Sequence, residues 1–199
     1  MATGLPENAI QPASRAAWRR WLERHHTRDR GVWFVYVRKS SGKQRFTYDD
    51  LVEEALCFSS VDGQAQSLDE ERSMLWLSPR KRKSAWSAAN KTRVARLMAA
   101  GLMHPAGLAK VELARDDGSW QALEATDRFE VADDLAQALA ATPGARAHFD
   151  AFPATAKKAV LEWVRQAKRP ETRARRVAES ARMAAANERM TATAPKARA

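Results

Sequence analysis

The chain carries a single cysteine, Cys57, among its 199 residues. One thiol excludes an intramolecular disulfide and a zinc centre built from cysteines. It sits in the run Glu54-Ala-Leu-Cys-Phe58 and reads as a buried, inert side chain. No stretch approaches the roughly 18 consecutive apolar residues of a membrane span. The polar segment Met1 to Gln11 lacks the apolar core of a secretion signal, so the expected location is the cytoplasm. No Gly-x-Gly-x-x-Gly, P-loop or Gly-x-Ser-x-Gly motif occurs. The histidines are His25, His26, His104 and His148, and no two have a metal-binding spacing. These absences remove the readily legible enzyme classes, and neither a metal nor a cofactor is expected.

What is present is a basic, globular composition. The formal net charge is +10 and the pI about 10.2. Such a balance favours anionic partners without identifying one. Seven tryptophans supply large apolar bodies for a core.

Local patterns predict an α+β fold: a small antiparallel sheet covered by helices, then a mainly helical C-terminal half. Ser14 can cap a helix carrying Trp18, Trp21 and Leu22. Val32 to Val37 is β-branched or aromatic throughout and reads as a strand. Thr47 caps a helix to Phe58, with Asp49 and Asp50 in its first turn. Ser59–Gln66 and Ser73–Leu77 read as a hairpin beside strand 32–37. Ser84 or Ser87 caps a helix ended by Gly101, and Pro105 opens another. Asp133, Pro143 and Pro170 start further helices, with one more over 154–168. The expected organisation is a flexible lead over 1–13, a core domain over 14–150, a helical segment over 151–187 packed on that core, and a flexible tail over 188–199.

Charge is distributed unevenly. Between Asp49 and Arg72 stand seven acidic residues besides Asp62, against one basic residue. Between Arg80 and Val111 stand eight basic residues and no acidic one. The two segments either pack together and compensate, or leave a basic face.

Two sets of residues could bind anions. Arg80 and Lys83 precede a helix whose first amides would face an anion, and Trp86 and Asn90, four apart, would share one face of it. Asp62, in Val61-Asp-Gly63, is either a turn residue or a carboxylate at the sheet end facing that helix, where it could also serve as a base. The same residues can be purely structural: a serine cap, a packed indole and solvated cations. In the second set, Arg169, Arg173 and Arg176 lie in a cation-rich segment near the C-terminus. They either pair inward or contact phosphate, as a nucleic-acid or other polyanion binder would.

Several short pieces occur together in order: Ala55-Leu-Cys-Phe58, Val61-Asp-Gly63, Ser78-Pro-Arg80, Lys83-Ser-Ala-Trp-Ser-Ala-Ala-Asn90, Gly101-Leu-Met103, Ala106-Gly107, Asp117-Gly-Ser-Trp120, Phe152-Pro153 and Ala167 to Arg176. In this combination the chain resembles the YdeI/OmpD-associated family of bacteriocin-protection proteins, from about Trp18 to about Ala185. The family pattern Cys-Phe-Gly-Trp-Ile-Asp-Gly is altered here, with Ser59-Ser60-Val61 at its centre. The resemblance implies a bacterial cytoplasmic protein linked to tolerance of bacteriocins or antimicrobial peptides, and no settled reaction. The leading expectation is binding of an anionic small molecule or a protein partner. Polyanion binding is one alternative, and an enzyme built around Asp62, Arg80 and Asn90 is another.

Overall fold

The computed structural model describes residues 4–43 and 47–190. They group into two compact units, Met1–Ala122 and Leu123–Ala199.

The first unit is built on a four-stranded mixed sheet in the order β1-β2-β4-β3. Strand β2 (Val32–Val37) pairs antiparallel with β4 (Arg72–Pro79), which pairs antiparallel with β3 (Ser60–Ser67). The expected hairpin is therefore present, with β4 beside β2. Strand β1 (Ala9–Ile10) adds to the other edge of β2, in parallel, opposite Trp33 and Phe34. It lies in the lead that the sequence left without structure, since two residues carry no periodicity to read.

Helices α1 (Arg15–His25) and α2 (Tyr48–Cys57) cover the sheet. Ser14 caps α1 by accepting the Ala17 N–H at 3.1 Å. Trp18 and Leu22, one turn apart, enter the core, where the Trp18 indole N–H donates to the Leu51 carbonyl at 3.1 Å and the ring meets Phe34 edge-on. A capping box between Thr47 and Asp50 starts α2, which is buried from Leu51 to Cys57. Cys57 is fully enclosed, and burial pushes its thiol pKa up, as expected of an inert side chain.

Helices α3 (Ala88–Ala99) and α4 (Pro105–Asp116) complete this unit. Ser87, not Ser84, is the α3 cap, accepting the Asn90 N–H. Helix α4 approaches α2 so closely that a Cβ on Gly107 would lie 2.3 Å from the Cys57 carbonyl oxygen. Only glycine permits that distance.

The second unit contains α5 (Glu124–Asp127), α6 (Asp133–Ala141), α7 (Ala145–Ala151), α8 (Ala154–Arg165) and α9 (Pro170–Ala185). Leu135, Leu139, Phe149, Phe152, Val160, Leu161, Val164 and Val177 form its core. The sequence reading placed residues up to 150 with the sheet. The compact units divide after Ala122 instead, because α6 and α7 give their apolar faces to α9. Met190 is buried in the same cluster, Glu188 and Arg189 are exposed, and residues 191–199 of the expected tail lie outside the described residues. No helix among the described residues is long and apolar enough to cross a membrane.

Candidate anion site

The acidic and basic segments do meet. Helix α2 carries Asp49, Asp50, Glu53 and Glu54, and arginines reach these carboxylates from both flanking helices. From α1, Arg15 bonds Asp50, Glu53 and Glu54 at 2.5, 3.2 and 2.7 Å, and Arg19 bonds Glu54 at 2.9 Å. From α3, Arg93 bonds Asp49 at 2.5 Å and Arg96 pairs with Glu53. Glu53 and Glu54 are buried, so these pairs offset a desolvation penalty that the carboxylates could not bear alone. The Thr47 backbone N–H lowers the Asp50 pKa, and the Thr47 hydroxyl and Arg15 lower it further.

Arg80 has no such partner. It follows the last residue of β4, where its backbone N–H donates to the Ser59 carbonyl at 2.8 Å. The side chain is 4% exposed. Its Nη1 donates to the Ala85 carbonyl at 3.1 Å and, at 3.4 Å, to the Ser84 carbonyl and hydroxyl. The guanidinium carbon lies 3.7 Å from the centroid of the Trp86 ring. Among the described residues no carboxylate forms an ion pair with it. Its Nε is buried without an acceptor, and so is the Trp86 indole nitrogen. Burial lowers the Arg80 pKa to about 10, with Asp62 acting in the opposite sense. Trp120 packs against Trp86, with ring centroids 5.1 Å apart.

The other members of the predicted set are distributed around this corner. Trp86 precedes the α3 cap, so it does not share a helix face with Asn90 as the spacing suggested; the helix begins only at Ala88. Asn90 is buried, and its Oδ1 accepts from Arg93 at 3.1 Å, which holds that arginine toward Asp49. Lys83 is exposed with a positive φ of 59°, and its backbone N–H donates to Asp117 at 3.3 Å. Lys81 and Arg82 are exposed beside it. Asp62 belongs to strand β3, opposite Leu77, rather than to a simple turn. Its Oδ2 accepts from the Tyr48 hydroxyl at 2.5 Å.

Tyr48 was not singled out from the sequence. It is the first residue of α2, and no motif links it to a strand 14 positions on. Burial and the Asp62 carboxylate raise its pKa, so it stays a protonated donor and not a nucleophile.

In the second unit, two of the three arginines proposed for polyanions already have acceptors. Arg173 bonds Asp134 at 2.6 and 2.9 Å. Arg176 donates to the Trp163 carbonyl at 2.5 Å and lies over that ring. Arg169 is exposed before α9. Two surface clefts, of about 270 and 360 Å³, lie elsewhere: one beside Tyr36 and Lys43, one between α6 and α9. Neither includes the Arg80 corner. A buried cation without a counter-charge is costly to maintain. No group of three or more His, Cys, Asp or Glu is placed to hold a metal ion among the described residues.

Two family models match the chain. Residues 10–110 match a domain of unknown function, DUF8412, and residues 128–187 match the family described as bacteriocin-protection, YdeI or OmpD-associated. The protein thus belongs to the DUF8412 family through its sheet-bearing half, and carries a bacteriocin-protection, YdeI- or OmpD-associated domain in its helical half. The resemblance seen in the sequence extended further, and most of its N-terminal pieces fall within the first match. No curated protein and no solved structure matches the chain.

Proposed function

We propose that this is a non-enzymatic binding protein of the bacteriocin-protection kind, acting in the cytoplasm and taking a small anion at the Arg80 corner. One observation carries the reading: Arg80 is a buried guanidinium next to an indole, both have an unsatisfied N–H, and no carboxylate among the described residues pairs with the cation. An anion supplies what is missing, a compensating charge and hydrogen-bond acceptors. The exposed cations Lys81, Arg82 and Lys83 follow Arg80 in the chain and favour encounter with a negative ligand.

Polyanion binding through Arg169, Arg173 and Arg176 has less support, since Arg173 and Arg176 already have acceptors. An enzyme around Asp62, Arg80 and Asn90 has less support still. Tyr48 caps the Asp62 carboxylate, and Asn90 is engaged by Arg93.

A thermal-shift panel of inorganic phosphate, citrate, nucleotides, short DNA and RNA, and cationic peptides tests the reading. A small anion should raise the melting temperature of the wild type and not that of Arg80→Met. A shift given only by DNA or RNA, and abolished by modest salt, would favour the polyanion reading.

A further inference from the structure

Helix α4 is capped by a histidine. His104 occupies the N-cap position, and its Nδ1 accepts the Ala106 N–H at 3.2 Å. That bond requires an unprotonated Nδ1, so the ring is neutral with its proton on Nε2. The His104 backbone N–H is tied to the Cys57 carbonyl at 3.2 Å, and its own carbonyl accepts from Gly107 and Leu108. The ring stacks on Phe58 with centroids 4.8 Å apart, and His26 stands 4.7 Å away.

The charged groups facing it are mostly cationic. From α1, the Arg19 guanidinium lies 5.1 Å from the Phe58 ring centroid and donates to the Leu102 carbonyl at 2.9 Å. Glu23, also on α1, opposes it. From α2, Glu54 is bonded to Arg19 at 2.9 Å. The positive end of the α4 dipole faces the same ring.

We propose that His104 is an acid-sensitive cap, whose protonation uncaps α4 and loosens the corner Gly101–Gly107 from α1 and α2. Adding a proton to Nδ1 turns the acceptor into a donor aimed at another donor, the Ala106 N–H. It also places a cation beside Arg19, His26 and a helix N-terminus. Burial, and after it His26 and Arg19, lower the His104 pKa, while Glu23 works against them. The native state therefore holds the neutral ring. Its contribution is complete above the ordinary histidine value of about 6.5 and is lost as pH falls toward the lowered one.

Amide exchange of the full chain, followed by NMR at about pH 7.5 and pH 5 and corrected for intrinsic rates, tests this. Protection of Ala106 should fall about fivefold or more at the lower pH. His104→Asn, which keeps a capping oxygen that does not titrate, should remove that dependence. Equal protection at both pH values in the wild type would overturn the proposal, as would the same loss in His104→Asn. If that variant does not fold, the wild-type ring nitrogen shifts decide: a neutral ring protonated on Nδ1 near pH 7.5 contradicts the cap.

Discussion

The Arg80 guanidinium carbon lies 3.7 Å from the Trp86 ring centroid, whereas Arg15, Arg19, Arg93 and Arg96 each reach a carboxylate of α2. The contrast is energetic. Arg15, Arg19, Arg93 and Arg96 compensate buried acids, whereas Arg80 has an indole, two carbonyls and a hydroxyl. A cation–π contact is worth about 2 kcal/mol when desolvated, less than the several kcal/mol of removing the ion from water. On the proposed reading, Arg80 costs stability in the unliganded fold.

From this follows a stability prediction. Arg80→Met fills the space without the charge and should raise the unfolding free energy by about 1 kcal/mol in urea titrations. A loss of more than about 2 kcal/mol would mean that the bonds to Ser84 and Ala85 outweigh the desolvation penalty.

Ser59 offers a second prediction. It joins α2 to β3 with φ at 65°, a region that disfavours residues carrying a Cβ. Glycine, which has no Cβ, takes this conformation without strain. Ser59→Gly should stabilise the protein by about 0.5–1 kcal/mol, measured by the same titration. No change or a loss would show that the serine gains more from its surroundings than its backbone strain removes.

The network around α2 sets the acid limb of stability. The folded-state pKa of Asp50 is depressed by Thr47 and Arg15. Its contribution is therefore full above the unfolded carboxylate value of about 3.9 and disappears as pH falls through the lowered folded value. Arg15→Ala should destabilise by about 2–3 kcal/mol at pH 7, because Glu53 and Glu54 remain buried with fewer partners. The gap between variant and wild type should narrow below about pH 4. An unchanged gap at low pH would argue that Arg15 acts through packing of its methylenes.

Much of the fold was legible because its signals are local. The caps Ser14, Thr47 and Ser87, the β-branched run of Val32–Val37 and the prolines at Pro105 and Pro170 each act within a few residues. Strand β1 was not legible, since two residues become a strand only when β2 offers an edge. The division after Ala122 was missed for a related reason. The apolar faces of α6 and α7 are equally compatible with a sheet or with other helices as partners. In the site, Arg80 and Trp86 were visible as a cation and an aromatic at the mouth of a helix. Their burial without a carboxylate was not, because it depends on how β4 and the segment before α3 pack in three dimensions.

The measurement that bears most directly on the account is the melting temperature of the wild type and Arg80→Met, each with and without saturating small anions. An anion at one hundred times its Kd stabilises the native state by about 2.7 kcal/mol, a shift of roughly 5–10 °C for a protein of this size. The account predicts such a shift in the wild type for at least one anion, and none in Arg80→Met. Equal shifts in both proteins, or no shift with any anion, would contradict Arg80 as the binding residue.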